Sequence, residues 1–248
     1  NKLGYSFPVV TGEKASKVWA LRAAGLGLLS NIPGDAKPIA CIEDTAVDVN
    51  DLPQYIDEFE KMMEGFNQKA VYYAHAGAGE LHLRPILNLK TEADRSAFRQ
   101  ICESSAKLVK KYNGSLSGEH GDGRVRAEFI PLMIGENNFK RLQKVKNIWD
   151  PENIFNPGKI VNAKPIDQNL RYEAGQKDVE INTKFDFSES GGILRAAEKC
   201  NGSGDCRKLP EFGGTMCPSY RATRNEKDTT RARANALREF LTHSDKPN

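Results

Sequence analysis

The sequence predicts an α+β domain with a largely antiparallel sheet covered by helices, followed by an extended and helical C-terminal tail. Three observations predict it. Strand and helix periodicities mix through roughly the first 165 residues without strict strand–helix alternation, which argues against a parallel sheet. Two strand-like runs, Lys69–His75 and Glu80–Pro85, are separated by Ala-Gly-Ala-Gly, which reads as an antiparallel hairpin. After Asn162 the composition turns polar and periodicity is lost. The chain therefore divides into a domain at 1–165, a linker at 166–190 and a second segment at 191–248.

The elements follow in order. Glu13–Leu29 reads as a helix, with apolar Val18, Leu21 and Leu28, that loosens at Gly25 and Gly27. Pro38–Glu43 reads as a strand. Leu52–Phe66 is a helix with Tyr55, Ile56, Phe59, Met62 and Met63 marking one face. In the hairpin, alternation places His82 on the face opposite Leu81 and Leu83. Glu92–Tyr112 is a long helix ended by Asn113-Gly114. A helix is expected to start near Arg124. Another runs from Glu136 to Trp149 and stops at Asp150-Pro151, because the residue before proline avoids helical geometry. Asn156–Lys159 is a tight turn and Ile160–Val161 a short strand. Ala163–Ser190 forms the linker or an extended arm. Short helices follow at Gly191–Glu198 and Thr229–Leu241.

Composition narrows the function. The chain has 248 residues, 28% charged and 39% hydrophobic, with a net charge of only +3, too weak a balance to argue for nucleic acid. Apolar runs are too short for a transmembrane helix, and no signal peptide opens the chain. It begins at Asn1 in mid-phrase, as expected of a piece of a longer polypeptide. Five cysteines give no even disulfide framework, which favours a reducing compartment: the cytoplasm, with peripheral attachment to a membrane as a variant. Cys41 and Cys102 sit in apolar contexts and read as small buried hydrophobes.

Three of the four histidines fall in two glycine-bracketed segments, His75-Ala-Gly-Ala-Gly-Glu-Leu-His82 and Gly118-Glu119-His120-Gly121-Asp122-Gly123. Histidine is the commonest metal ligand and the side chain suited to acid–base work near neutral pH. A hairpin brings His75 and His82 near one another, and Glu119 adds a carboxylate from a third segment. Two histidines and a carboxylate with open positions suit zinc, manganese or iron. His120 is left beside the metal as a proton acceptor.

These motifs, with Asp150-Pro151 and Asn156-Pro157-Gly158-Lys159 in the same order, resemble the C-terminal cap domain of FAD-linked oxidases and dehydrogenases of D-2-hydroxy acids. That group, within the vanillyl-alcohol oxidase superfamily, includes D-lactate, glycolate and D-2-hydroxyglutarate enzymes. Glu43-Asp44-x-Ala46-Val47 matches the family's strand before its first long helix, and the resemblance covers about Val18–Val161. It implies a ferredoxin-like cap domain, with His75, His82 and Glu119 as metal ligands and His120 as general base. It implies hydride transfer to FAD from a hydroxy acid such as D-lactate, glycolate or D-2-hydroxyglutarate. Arg22 stands where relatives place an arginine for the substrate carboxylate. Cys41 and Ile42 stand where some relatives place a second basic residue, so Arg84 and Arg124 are the further substrate candidates. Asn156 and Lys159 would lie near the flavin. FAD itself would be held mainly by an N-terminal domain of the same polypeptide, so this chain alone is expected to be inactive.

Cys200, Cys206 and Cys217, the last followed by Pro218, resemble the opening of an iron–sulfur domain fused behind such oxidases. A [4Fe–4S] cluster needs a fourth thiolate, and would pass electrons to an unknown acceptor. Two rivals stand beside this reading. One is a metal-dependent hydrolase using the same His/His/Glu site. The other is a non-catalytic interaction module with structural histidines.

Overall fold

Four strands form one antiparallel sheet: β1 (Lys37–Pro38), β2 (Ile42–Ala46), β3 (Ala70–His75) and β4 (Glu80–Leu87). Strand β4 is central. It pairs with β3 along one edge and with β2 and then β1 along the other. The computed structural model describes residues 6, 8–29, 31–176, 181–214 and 216–243. The chain falls into two compact units: Asp35–Lys177, and Asn1–Gly34 with Asp178–Asn248.

Alternation along the strands gives the sheet two unlike faces, because residues paired across strands share a face. Ile42, Tyr72, Leu81 and Leu83 define one face. Glu43, Tyr73, His75, Glu80, His82 and Arg84 define the other. Helices α2 (Leu52–Gly65) and α3 (Glu92–Lys111) close the apolar face. In α2, Tyr55, Phe59 and Met63 recur every four residues and are buried. In α3, Phe98, Ile101, Cys102, Ser105, Ala106 and Val109 form the inward stripe. Thr91 caps α3 by accepting from the Asp94 amide at 3.2 Å. Acids begin this helix and lysines end it, matching its dipole.

The sequence-predicted elements are largely present, with instructive departures. The strand expected over Pro38–Glu43 is two short strands instead. The Cys41 amide turns back to the Ile39 carbonyl at 3.0 Å and breaks the run. The helix expected near Arg124 starts later, as a 3₁₀ turn at Ala127–Phe129 and then α4 (Ile130–Ile134). Gly121 and Gly123 adopt positive φ just before it, holding the backbone out of a right-handed helix. Helix α5 (Glu136–Trp149) has the expected bounds. No strand forms at Ile160–Val161: Ile160 has φ +63° and the Val161 amide bonds back to Lys159. The first part of the expected linker is irregular but attached. Ile166 is buried in the core, Leu170 and Tyr172 pack against it, and the Gly175 amide bonds to the Lys90 carbonyl at 2.9 Å.

In the second unit, α1 (Glu13–Leu29) has its expected bounds. Helix α6 (Ile193–Glu198) packs on α8 (Thr230–His243), and Leu194, Ala197 and Leu241 are buried. A short helix absent from the sequence reading, α7 (Pro218–Thr223), starts at Cys217-Pro218, where proline's fixed φ suits a first helical turn.

Candidate functional site

The polar sheet face becomes a site because two backbone irregularities gather side chains there. The first is the β3–β4 connection, a 3₁₀ turn at Ala76–Ala78 followed by Gly79 at φ +74°. Only glycine fits: a Cβ at Gly79 would stand 2.0 Å from the Val47 carbonyl oxygen. This turn sets the register in which His75 opposes Glu80 and Tyr73 opposes His82. The second is a bulge in β2. Glu43 pairs with His82 and Thr45 with Leu81, so Asp44 is the extra residue, held at φ +65°.

The bulge turns the fully buried Asp44 toward the loop after α3. Its Oδ2 accepts from the Ser117 hydroxyl (2.8 Å) and from the backbone amides of Glu119 (3.0 Å) and His120 (2.6 Å). The Asp44 carbonyl accepts from the Gly118 amide at 2.6 Å. Arg126 Nη1 lies 3.1 Å from Asp44 Oδ1 and donates to the Glu43 carbonyl at 2.8 Å. One buried acid thus pins Glu119 and His120 beside the sheet through their backbones.

His75, His82 and Glu119 converge: one ligand atom from each lies within 4.8 Å of the others. His75 Nε2 stands 3.8 Å from Glu119 Oε1, and His120 Nε2 stands 3.3 Å from the same oxygen. The His82 ring lies between neighbours, stacked on Tyr73 at 4.6 Å and on His120 at 5.5 Å. His82 is only 3% exposed, and its Nδ1 has no hydrogen-bond partner among the described residues. Burial pushes its pKa below the ordinary value, so the ring is neutral near pH 7 and keeps a lone pair for a ligand. Two imidazoles and a carboxylate that converge this closely are donors of the kind a divalent zinc, manganese or iron ion takes.

Behind His82, Glu43 Oε1 lies 3.7 Å from Nδ1. Tyr73 and Arg84 both donate to that oxygen. Burial raises the Glu43 pKa, but the bonds from Tyr73 and Arg84 outweigh it and the net direction is down. Glu80 goes the other way: burial first, then the charge of Glu119, pushes its carboxyl up.

The remaining candidates are placed as follows. Arg84 stands on the polar face but is engaged by Glu43 and lies over the Tyr73 ring at 5.5 Å. Arg124 reaches the Gln168 and Asn169 carbonyls, tying down the irregular arm. Arg22 is on α1 in the other unit, over the Trp19 ring at 5.9 Å. Asn156 is exposed and Lys159 half-buried, in the turn that Asp150 anchors by accepting from the Ile154 and Phe155 amides. The three tail cysteines do not form a close ligand set; among the described residues only the His75/His82/Glu119 group does. Cys206 and Cys217 are buried and Cys200 half-buried. A hydrogen bond from the Tyr220 amide, at the start of α7, lowers the Cys217 pKa. Cys41 and Cys102 are buried as expected, and burial pushes the Cys102 thiol well up.

Sequence reasoning missed the chemistry of Asp44, Glu80, Tyr73 and Arg126. The available signals were two consecutive acids, Glu43-Asp44, closing an apolar run, and the alternation Glu80-x-His82-x-Arg84 in one strand.

Among the described residues, no helix is long and apolar enough to cross a membrane. The chain is 34% identical over 232 residues to D-2-hydroxyglutarate dehydrogenase of Pseudomonas putida, covering 92% of this chain and 22% of that protein. It is 36% identical over 228 residues to D-2-hydroxyglutarate dehydrogenase of Escherichia coli, covering 91% of this chain and 22% of that protein. To D-lactate dehydrogenase of Archaeoglobus fulgidus it is 30% identical over 128 residues, 52% of this chain and 28% of that one. The chain thus spans about a fifth of the length of the first two relatives. Residues 4–160 match the family described as FAD linked oxidases, C-terminal domain, and the chain belongs to that family.

Proposed function

We propose that this chain is the substrate-side, metal-bearing part of a flavin-dependent dehydrogenase of D-2-hydroxy acids. The observation that carries the reading is the convergence of His75, His82 and Glu119 within 4.8 Å, with His120 at their side. Family membership and the names of the relatives support oxidation over metal-dependent hydrolysis.

The chain's residues would work as follows. His75, His82 and Glu119 would hold a divalent ion, and the buried Oε1 of Glu80, without a hydrogen-bond partner and 3.9 Å from His82 Nε2, fits a site built around a cation. When bound, the ion would polarise the substrate hydroxyl and orient its carboxylate. His120 would take the hydroxyl proton at Nε2, the nitrogen nearest Glu119. Asp44 would keep that ring in place through the His120 amide. Arg84, on the same sheet face, is the arginine we assign to the substrate carboxylate, sharing its charge with Glu43. Arg124, committed to carbonyls, would act through the arm it ties down. Arg22, on α1, is the arginine that the family resemblance offers for the substrate carboxylate.

The flavin would supply the acceptor for the α-hydrogen and its electron pair. It would be held chiefly by a part of the relatives that this chain does not match. Asn156 and Lys159 offer a donor and a charge toward it rather than a binding fold. Cys200, Cys206 and Cys217 are the thiolates that the resemblance offers to a [4Fe–4S] cluster, but they do not gather into a close ligand set here.

Elemental analysis of the purified chain, wild type against His82→Ala, tests the metal centre. About one zinc, manganese or iron per chain, lost in the variant, is expected. A wild-type chain that stays metal-free after reconstitution, or a His82→Ala chain that keeps its metal, would sink the reading.

A further inference from the structure

The described structure buries four acids, Glu43, Asp44, Glu80 and Asp150, and three of them face a cation. Glu43 meets Arg84, Asp44 meets Arg126, and Asp150 meets Lys146. Glu80 meets no lysine or arginine among the described residues. Its side chain is only 10% exposed, and its Oε1 is buried with no hydrogen-bond partner. That oxygen lies 3.9 Å from His82 Nε2. The cross-strand partner of Glu80 is His75, so both side chains rise from the same sheet face. Among the charges it feels, the strongest is that of Glu119, which has the same sign and whose side chain lies within hydrogen-bonding reach of the Glu80 carboxyl.

A carboxylate taken out of water without a cation is strongly disfavoured, and such groups in folded proteins are paired or coordinate metals. The missing partner lies where the histidines and Glu119 converge. Charge balance agrees. With neutral imidazoles, Glu119 alone leaves a divalent ion at +1, whereas Glu119 and Glu80 together neutralise it. A partly buried site favours the neutral sum.

We infer that Glu80 is a fourth protein group of the metal centre, its carboxylate facing the ion and setting the charge balance that favours a divalent cation. This rests on the metal-centre reading above. Glu80 stands just outside the three-residue group that closes within 4.8 Å, so it acts on the ion directly or through one bound water.

The test is titration of the full chain with Zn²⁺ and with Mn²⁺, using wild type, Glu80→Gln, Glu80→Asp and His82→Ala, with Tm read with and without metal. Glu80→Gln is expected to bind both ions about 10–100-fold more weakly. Glu80→Asp, which keeps the charge on a shorter arm, should recover part of that loss. Metal-free Glu80→Gln should melt close to the wild-type temperature, because the buried Oε1 makes no hydrogen bond that the variant would remove. A purely structural Glu80 gives the reverse: a lower metal-free Tm and unchanged metal affinity, which would overturn the inference. If wild type binds neither ion, the metal centre itself falls and this inference with it. If wild type binds and Glu80→Gln binds equally well, only this inference fails.

Discussion

The two faces of the central hairpin are built from the same strands on opposite principles. On one face Leu81 and Leu83 meet a surface filled by Tyr55, Phe59 and Met63 of α2 and the apolar stripe of α3. On the other, Glu80, His82 and Arg84 meet Glu43, Tyr73, Asp44 and the Glu119–His120 loop. The first face is held by non-directional burial, roughly proportional to area. The second is held by a few charge-assisted hydrogen bonds to particular atoms, each of which leaves an orphan if removed. The contrast teaches where stability and function reside. The apolar face can lose a methyl group and merely weaken. The polar face loses its geometry when one partner is lost.

The largest effect should come from the apolar side. Phe59 is fully buried and meets Tyr72 edge-on at 5.9 Å. Phe59→Ala should cost about 3–5 kcal/mol of unfolding free energy by urea titration. Zn²⁺ binding by the molecules still folded should be unchanged. A variant that loses metal affinity in proportion to stability would break the division between the faces.

Asp44→Asn strikes the polar side with almost no change of volume. Asparagine tolerates the positive φ at this bulge, so the variant isolates the charge. It leaves Arg126 buried without its carboxylate, and the expected loss is about 3 kcal/mol. The amides of Glu119 and His120 also lose a charged acceptor, so Zn²⁺ affinity should fall in the same variant. Stability loss with intact affinity would show that Asp44 holds the fold without positioning the site.

How far each face could be read from the sequence follows from the same contrast. The apolar face depends on local periodicity: residues three and four apart on α2 and α3, and alternate residues on β4, announce it without knowledge of their partners. Helices α1 and α5 were legible to the residue, and α2 and α3 to within one. The two histidines and Glu119 were legible as ligand types in glycine-rich segments. The frame around them was not. Asp44 gains its role from a bulge that exists only once β2 has paired with β4, and Glu80 from a register fixed by a turn. The broken strand at Cys41 and the missing strand at Ile160 were missed for a related reason: each turns on a single amide bonding two residues back, which leaves no trace in hydropathy.

Asp150 offers a control with a smaller effect, because its partners are all local. It is buried, like the acids of the polar face, but it accepts from Lys146 and from the Ile154 and Phe155 amides, none more than five residues away. Burial works to raise its pKa, but these bonds prevail and the net shift is downward from the ordinary 3.8. A carboxylate whose folded pKa is depressed stabilises the fold above its unfolded pKa and loses that contribution as pH falls through the folded value. Asp150→Asn should therefore melt below wild type at pH 7. The gap in Tm should shrink as pH drops below about 4, as the wild-type carboxylate takes up its proton. Metal binding should be untouched at any pH where both proteins are folded, since Asp150 takes no part in the sheet or its loop. A gap that stays constant down to pH 3 would mean that the side chain's shape, not its charge, anchors the turn carrying Asn156 and Lys159. The sensitivity to charge seen at Asp44 would then belong to buried acids whose partners come from distant segments, and not to buried acids in general.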